Sequence, residues 1–173
     1  MNSLLQEMGI AAKAAANSLR KASTKQKNEG LLAMEAALYT HQDAILTANA
    51  KDIAAAAANG LPTPMIERLT LNPQRIKGMA DSFKEIAQLP DPVGYVEEMT
   101  KSADGLTIGK QRVPLGVIGI IYESRPNVTA DASALCFKSG NAVILRGGKE
   151  ALESNKAIMT ALQAGLADAG LAK

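Results

Sequence analysis

The chain has one Cys, one His and no Trp, and aromatic residues make up only 3% of it. One Cys excludes an internal disulfide framework and a Cys-based zinc cluster. One His excludes any centre that needs two imidazoles. Charge of one sign is also missing. Nineteen Lys and Arg against 17 Asp and Glu give a net charge of +2, too balanced to argue for nucleic acid or an anionic membrane surface as a partner. The most apolar run, Val113 to Tyr122, is broken by a Pro and two Gly and falls short of the roughly 18–20 residues a membrane helix needs. Glu7 and Lys13 interrupt the stretch that a signal peptide would keep apolar, so the expectation is a cytoplasmic chain. What is present is Ala, 31 of 173 residues, which favours helix over an all-β structure.

The chain changes character near Pro90. Before it the period is helical. Leu4, Leu5, Met8, Ala12, Ala15 and Leu19 form one stripe. Ser23 with Gln26 has the form of a capping box. Thr40 and Asp43 repeat the start signal more weakly, and Asn59-Gly60 supplies a stop. Pro62 and Pro64 read as a break. Asn72-Pro73 is an N-cap with Pro at the first helical position, and Ile76, Met79, Ala80, Phe83, Ile86 and Leu89 then form a stripe. Beyond Pro90-Asp91-Pro92 the period shortens. Val96–Thr100 and Leu106–Val113 read as strands around a Ser102–Gly105 turn. The β-branched run Leu115–Tyr122 reads as a strand buried on both faces. A helix over Thr129–Lys138, a short buried strand over Ala142–Leu145 and a helix over Glu150–Ala169 complete a strand–helix–strand–helix pattern, that of an open parallel sheet. Only two parallel strands are visible, so the sheet looks truncated, with open edges that invite association.

Two segments follow the parallel strands, where open α/β folds bind ligands. In Arg146-Gly147-Gly148-Lys149 the glycines would let backbone amides approach an anion. The following helix start adds positive charge, and the two cations can grip a phosphate. The plainer reading is a turn with solvated cations, since neither a Walker A nor a G-x-G-x-x-G pattern is present. In Tyr122-Glu123-Ser124-Arg125-Pro126-Asn127-Val128-Thr129, Asn127 can donate to a developing oxyanion, or Asn127 or Thr129 can simply cap the next helix. Cys136, on an apolar helix with no His nearby, reads as a buried hydrophobe rather than a nucleophile. His41 reads as a surface or helix-end residue.

These segments carry a resemblance. Val113-Pro114-Leu115-Gly116-Val117-Ile118-Gly119 resembles a strand of the aldehyde dehydrogenase superfamily. Residues 122–129 resemble the signature of its gamma-glutamyl phosphate reductase branch, also called glutamate-5-semialdehyde dehydrogenase. Residues 139–150, Met8–Lys13 and Asn49-Ala50-Lys51-Asp52 resemble the same family. The resemblance implies an α/β, aldehyde-dehydrogenase-like fold. It would have a helical N-terminal layer (residues 1–90) and the first part of an open parallel Rossmann-like sheet (residues 91–173, a partial dinucleotide-binding domain), with the catalytic domain absent. It implies reduction of L-glutamate 5-phosphate by NADPH to glutamate 5-semialdehyde and phosphate, the second step of proline biosynthesis. A cysteine thiolate would form a thioester that hydride then releases as the aldehyde. In this scheme Asn127 stabilises the oxyanion, and Arg146, Gly147, Gly148 and Lys149 meet NADP. Glu123 and Arg125 are guesses for the substrate, no metal is needed, and the nucleophilic Cys lies outside the chain. The full-length protein would be a homo-oligomer and the 173 residues alone inactive. Two rival readings are a non-catalytic nucleotide-phosphate-binding or interaction module that uses only the Arg146–Lys149 turn, and a helical scaffold built on residues 1–89.

Overall fold

Capping chemistry sets the boundaries of the first helices. The structure, a computed structural model, describes residues 3–171. Helix α1 (Ser3–Leu19) is followed by α2 (Thr24–Thr40), whose capping box is complete. The Gln26 amide donates to Ser23 Oγ at 3.2 Å and the Ser23 amide to Gln26 Oε1 at 2.9 Å. Helix α3 (Gln42–Ala58) starts from His41, whose side chain makes no capping bond. Thr40 is not the expected start signal, because its hydroxyl bonds back to the Ala36 carbonyl. Asn59 and a left-handed Gly60 (φ 70°) end α3. Pro62 and Pro64 mark a beginning rather than only a break: they flank the start of α4 (Thr63–Leu69), where a missing N–H is tolerated. Helix α5 (Pro73–Gln88) is capped by Asn72 Oδ1, which accepts from the Arg75 amide at 2.8 Å.

Strands β1 (Val96–Lys101) and β2 (Thr107–Gln111) form an antiparallel hairpin, bulged between Glu97 and Met99. Strands β3 (Val117–Ile121) and β4 (Ala142–Arg146) form a separate parallel pair, Val117 opposite Ala142 and Ile121 opposite Arg146. Helix α6 (Pro126–Lys138) connects them, and a 3₁₀ turn (Lys149–Ala151) leads into α7 (Leu152–Asp168).

The main core joins both halves of the chain. Leu31, Met34 and Leu38 of α2 pack with Ile76 and Phe83 of α5, Ala134 of α6 and Ile158 and Leu162 of α7. Gly165 lets α7 lie directly on α2, since a Cβ there would stand 2.6 Å from the Ala33 carbonyl oxygen. Three expectations of burial fail, the first at the strand over Ala142–Leu145, whose residues are only half-buried. Leu4, Leu5 and Met8 of the α1 stripe are exposed, and the Leu115–Tyr122 run that contains β3 is not buried on both faces, with Leu115 87% and Ile121 78% exposed. Among the described residues β3 pairs only with β4 and otherwise meets mainly α1, too little cover for two buried faces, so its composition overstates its burial.

The junction at residue 90 is tied back to α2. The Asp91 carboxylate takes both oxygens to Lys27 Nζ (2.7 and 2.6 Å) and accepts from Thr24 Oγ1 and the Val93 amide. Lys27 is 1% exposed. Burial alone would raise the Asp91 pKa, but the hydrogen bonds from Lys27, Thr24 and Val93 and the Lys27 charge outweigh it and hold it below its usual value. A carboxyl lowered in the folded state stabilises above its unfolded pKa of about 3.9 and stops doing so as pH falls through the folded value. The urea midpoint should therefore fall as pH drops below about 4. Asp91→Asn should lose about 3–5 kcal/mol at neutral pH, because Lys27 stays buried without its counter-charge, and should show a shallower acid-side decline. Superimposable acid profiles would contradict this.

Candidate functional site at the carboxyl end of the parallel strands

Because Ile121 pairs with Arg146, the chain leaves β3 and β4 side by side, and the two following loops pack on each other. The Tyr122 amide extends the ladder to the Arg146 carbonyl at 3.1 Å. Ser124 Oγ donates to Glu150 Oε2 at 2.5 Å, and that bond is the main reason the Glu150 pKa is lowered. The Tyr122 hydroxyl lies 2.6 Å from Thr129 Oγ1, which donates to Asn155 Oδ1 at 2.8 Å. Since Thr129 spends its one proton on Asn155, Tyr122 is the donor to Thr129.

The two glycines fit between these groups. A Cβ on Gly147 would stand 2.4 Å from Asn155 Nδ2 and 3.0 Å from the Tyr122 hydroxyl, and one on Gly148 2.0 Å from Ser124 Oγ. Loop-to-loop packing is therefore sufficient reason for both. Arg146 and Lys149 are exposed, and their side chains make no hydrogen bond or ion pair among the described residues.

Neither Asn127 nor Thr129 caps α6. The N-cap position is Arg125, without a side-chain bond. Thr129 is buried in the relay just described. Asn127 is exposed in the first turn, where its amide donates to Asp131 Oδ2 at 3.3 Å. Asn127 and Arg125 line an open cavity of about 590 Å³ together with Arg68, Arg75 and Asp131. Glu123 does not line it, and its carboxylate lies 3.7 Å from Arg125 Nε.

No protein-family model matches the chain. It is 55% identical over 166 residues to gamma-glutamyl phosphate reductase of Listeria innocua, covering 96% of this chain and 40% of the relative. The crystal structure of gamma-glutamyl phosphate reductase from Thermotoga maritima superposes with a TM-score of 0.92 at 41% identity, over 95% of this chain and 40% of that one. The chain is homologous to gamma-glutamyl phosphate reductase. It spans about two fifths of the length of these relatives. A probable aldehyde dehydrogenase from Listeria monocytogenes, 15% identical, shares the fold with a TM-score of 0.69 over 99% of this chain and 35% of its own.

The nicotinamide dinucleotide that the reductase resemblance implies finds a partial fit. The two free cations, Arg146 and Lys149, suit a phosphate. The start of α7, expected to add its positive end, is already occupied: Asp52 of α3 accepts from the Glu153 and Ser154 amides (3.2 and 2.7 Å) and from Ser154 Oγ (2.6 Å). Asn49, one turn earlier, donates to the Leu69 carbonyl and to Ser154 Oγ and accepts from the Leu71 amide at 2.7 Å. Sequence reasoning placed Asn49 and Asp52 only in a reductase-like segment. Their spacing of three residues on a helix face was the available sign that both serve one partner. Arg68 and Arg75 were missed altogether, because isolated surface cations carry no periodic signal.

Cys136 is buried on α6, and burial pushes its thiol up, the reverse of an activated nucleophile. A disulfide reagent should modify Cys136 only as fast as the native chain opens, and rapidly in denaturant. Fast stoichiometric labelling under native conditions would contradict its packing role.

Proposed function

We propose that this chain is the amino-terminal portion of a gamma-glutamyl phosphate reductase. In this reading it contributes the cofactor-side loops to the NADPH-dependent reduction of L-glutamate 5-phosphate to glutamate 5-semialdehyde and phosphate, in the cytoplasmic synthesis of proline. The observation that carries the reading is the side-by-side packing of residues 122–129 and 146–150 at the carboxyl ends of β3 and β4, in a chain 55% identical to a reductase over 96% of its length. In this reading residues 1–90 are the helical layer and residues 91–173 part of the dinucleotide-binding domain. The cofactor, when bound, supplies the hydride. Arg146 and Lys149 hold its 2′-phosphate by charge, and Asn127, exposed at the start of α6, donates to the oxygen on which negative charge develops. Gly147 and Gly148 keep the turn thin enough to sit against Tyr122, Ser124 and Asn155. Cys136 takes no part, so the nucleophile belongs to the remaining three fifths of the parent protein, and the chain alone does not turn over.

Titration of the chain with NADPH and NADH tests the cofactor half of this reading. NADPH should bind more tightly, and Arg146→Ala/Lys149→Ala should weaken NADPH by about tenfold or more, the worth of a charge-assisted hydrogen bond. Equal affinity of parent and double variant would remove the phosphate grip, and NADPH-dependent turnover by the chain would overturn the claim of incompleteness.

A further inference from the structure

The cavity beside Asn127 has a composition that the fold does not require. Arg68 lies in the last turn of α4, Arg75 in the first turn of α5 and Arg125 just before α6, so three separate elements each bring an arginine to the lining of one concavity. The single carboxylate lining it, Asp131, is engaged elsewhere, accepting from Ser82 Oγ at 3.2 Å and from Asn127, and pairs with none of the three. Like charges gathered around a concave surface repel one another and raise its positive potential.

Arg75 is also held in place. Its Nη1 donates to the Glu67 carbonyl at 2.7 Å and to the Thr70 carbonyl. These are neutral acceptors, so the guanidinium is fixed in position while its charge remains uncompensated. A fixed fork loses little entropy on meeting an oxyanion. The Arg68 side chain makes no hydrogen bond or ion pair among the described residues, and the Arg125 side chain has only the 3.7 Å approach of the exposed Glu123. Gly78 of α5 lines the same cavity, and a Cβ there would meet nothing within 4 Å. Unlike Gly165, it is not imposed by helix packing, and it costs the helix roughly 0.5–1 kcal/mol relative to Ala. Its effect is to keep the floor of the cavity open.

We propose that the Arg68–Arg75–Arg125 groove is an anion site that holds the charged groups of a small substrate, phosphate or carboxylate, with the reacting carbon presented to Asn127. This deepens the reading of the chain as part of a glutamyl phosphate reductase and rests on it. It assigns substrate recognition to two residues of the helical layer.

The test is a nitrogen-15 NMR titration of the chain at low ionic strength with inorganic phosphate and, separately, with L-glutamate. Shifts should appear at residues 68–78 and 125–128, beside any that phosphate draws at the Arg146–Lys149 turn. Phosphate alone would assign the groove to the phosphoryl end and glutamate alone to the carboxylate end. Arg68→Gln, which removes no side-chain hydrogen bond or ion pair among the described residues, should weaken binding about tenfold, whereas Arg75→Gln also uncaps α4 and is the less decisive variant. Unchanged binding in Arg68→Gln, or shifts at residues 146–150 only, overturns the groove. NADPH added to the same sample separates the two claims. If it perturbs residues 146–149 while the groove stays silent to both anions, the groove fails and the enzyme reading stands. If NADPH is silent as well, that reading fails with it.

Discussion

A helix begins with backbone amides that its own turns cannot satisfy, and most of the helices here solve that locally or leave it to solvent. Helix α7 solves it with a carboxylate from another helix. Asp52 receives the Glu153 and Ser154 amides and the Ser154 hydroxyl, and Asn49 one turn earlier links that hydroxyl to the backbone of residues 69–71. The knot is buried: Ser154 is wholly buried and Asn49 is 1% exposed. A broken member would therefore leave polar atoms without partners, which is costlier than the bonds themselves are favourable.

Both candidate ligand sites hang from this knot. On one side it fixes the start of α7, hence the end of the turn that carries Arg146 and Lys149 and the position of Asn155 over Gly147. On the other it fixes residues 69–71, the loop that Arg75 grips from outside through the Thr70 carbonyl. Arg68 and Arg75 therefore stand in a set relation to α3, and through it to the cofactor-side turn. The helical layer thus orients both candidate loops. The arrangement also explains why α7 cannot offer its amino end to a phosphate: that end is already neutralised from within.

Local chemistry was legible in the sequence. The Ser23–Gln26 box, the Asn72-Pro73 start, Gly60 and the Ser102–Gly105 turn each work through neighbours a few residues apart, and each forms as read. The two loops after β3 and β4 were legible both as punctuation after apolar runs and as family segments. Long-range effects were not. Pro62 and Pro64 looked like a break because their tolerance at a helix start is indistinguishable from interruption until the following turn is seen. The β3 run was read as doubly buried because apolar composition reports the surface a strand would cover, and among the described residues it has one strand partner and little helix over it. Asn49 and Asp52 looked like ordinary polar residues of an Ala-rich helix, since their partners lie 20–22 and about a hundred residues away. The three arginines converge only in three dimensions.

Amide hydrogen exchange tests the dependence of these loops on the α3 knot most directly. In the parent chain the Glu153, Ser154 and Leu71 amides should be strongly protected. In Asp52→Ala, protection at Glu153 and Ser154 should fall about tenfold or more, as expected for lost hydrogen bonds to a carboxylate. The amides of residues 147–151 should exchange faster with them, while the α2–α5 interior keeps its protection. Unchanged protection at Ser154 and in the turn would contradict the claim that α3 holds the site in place.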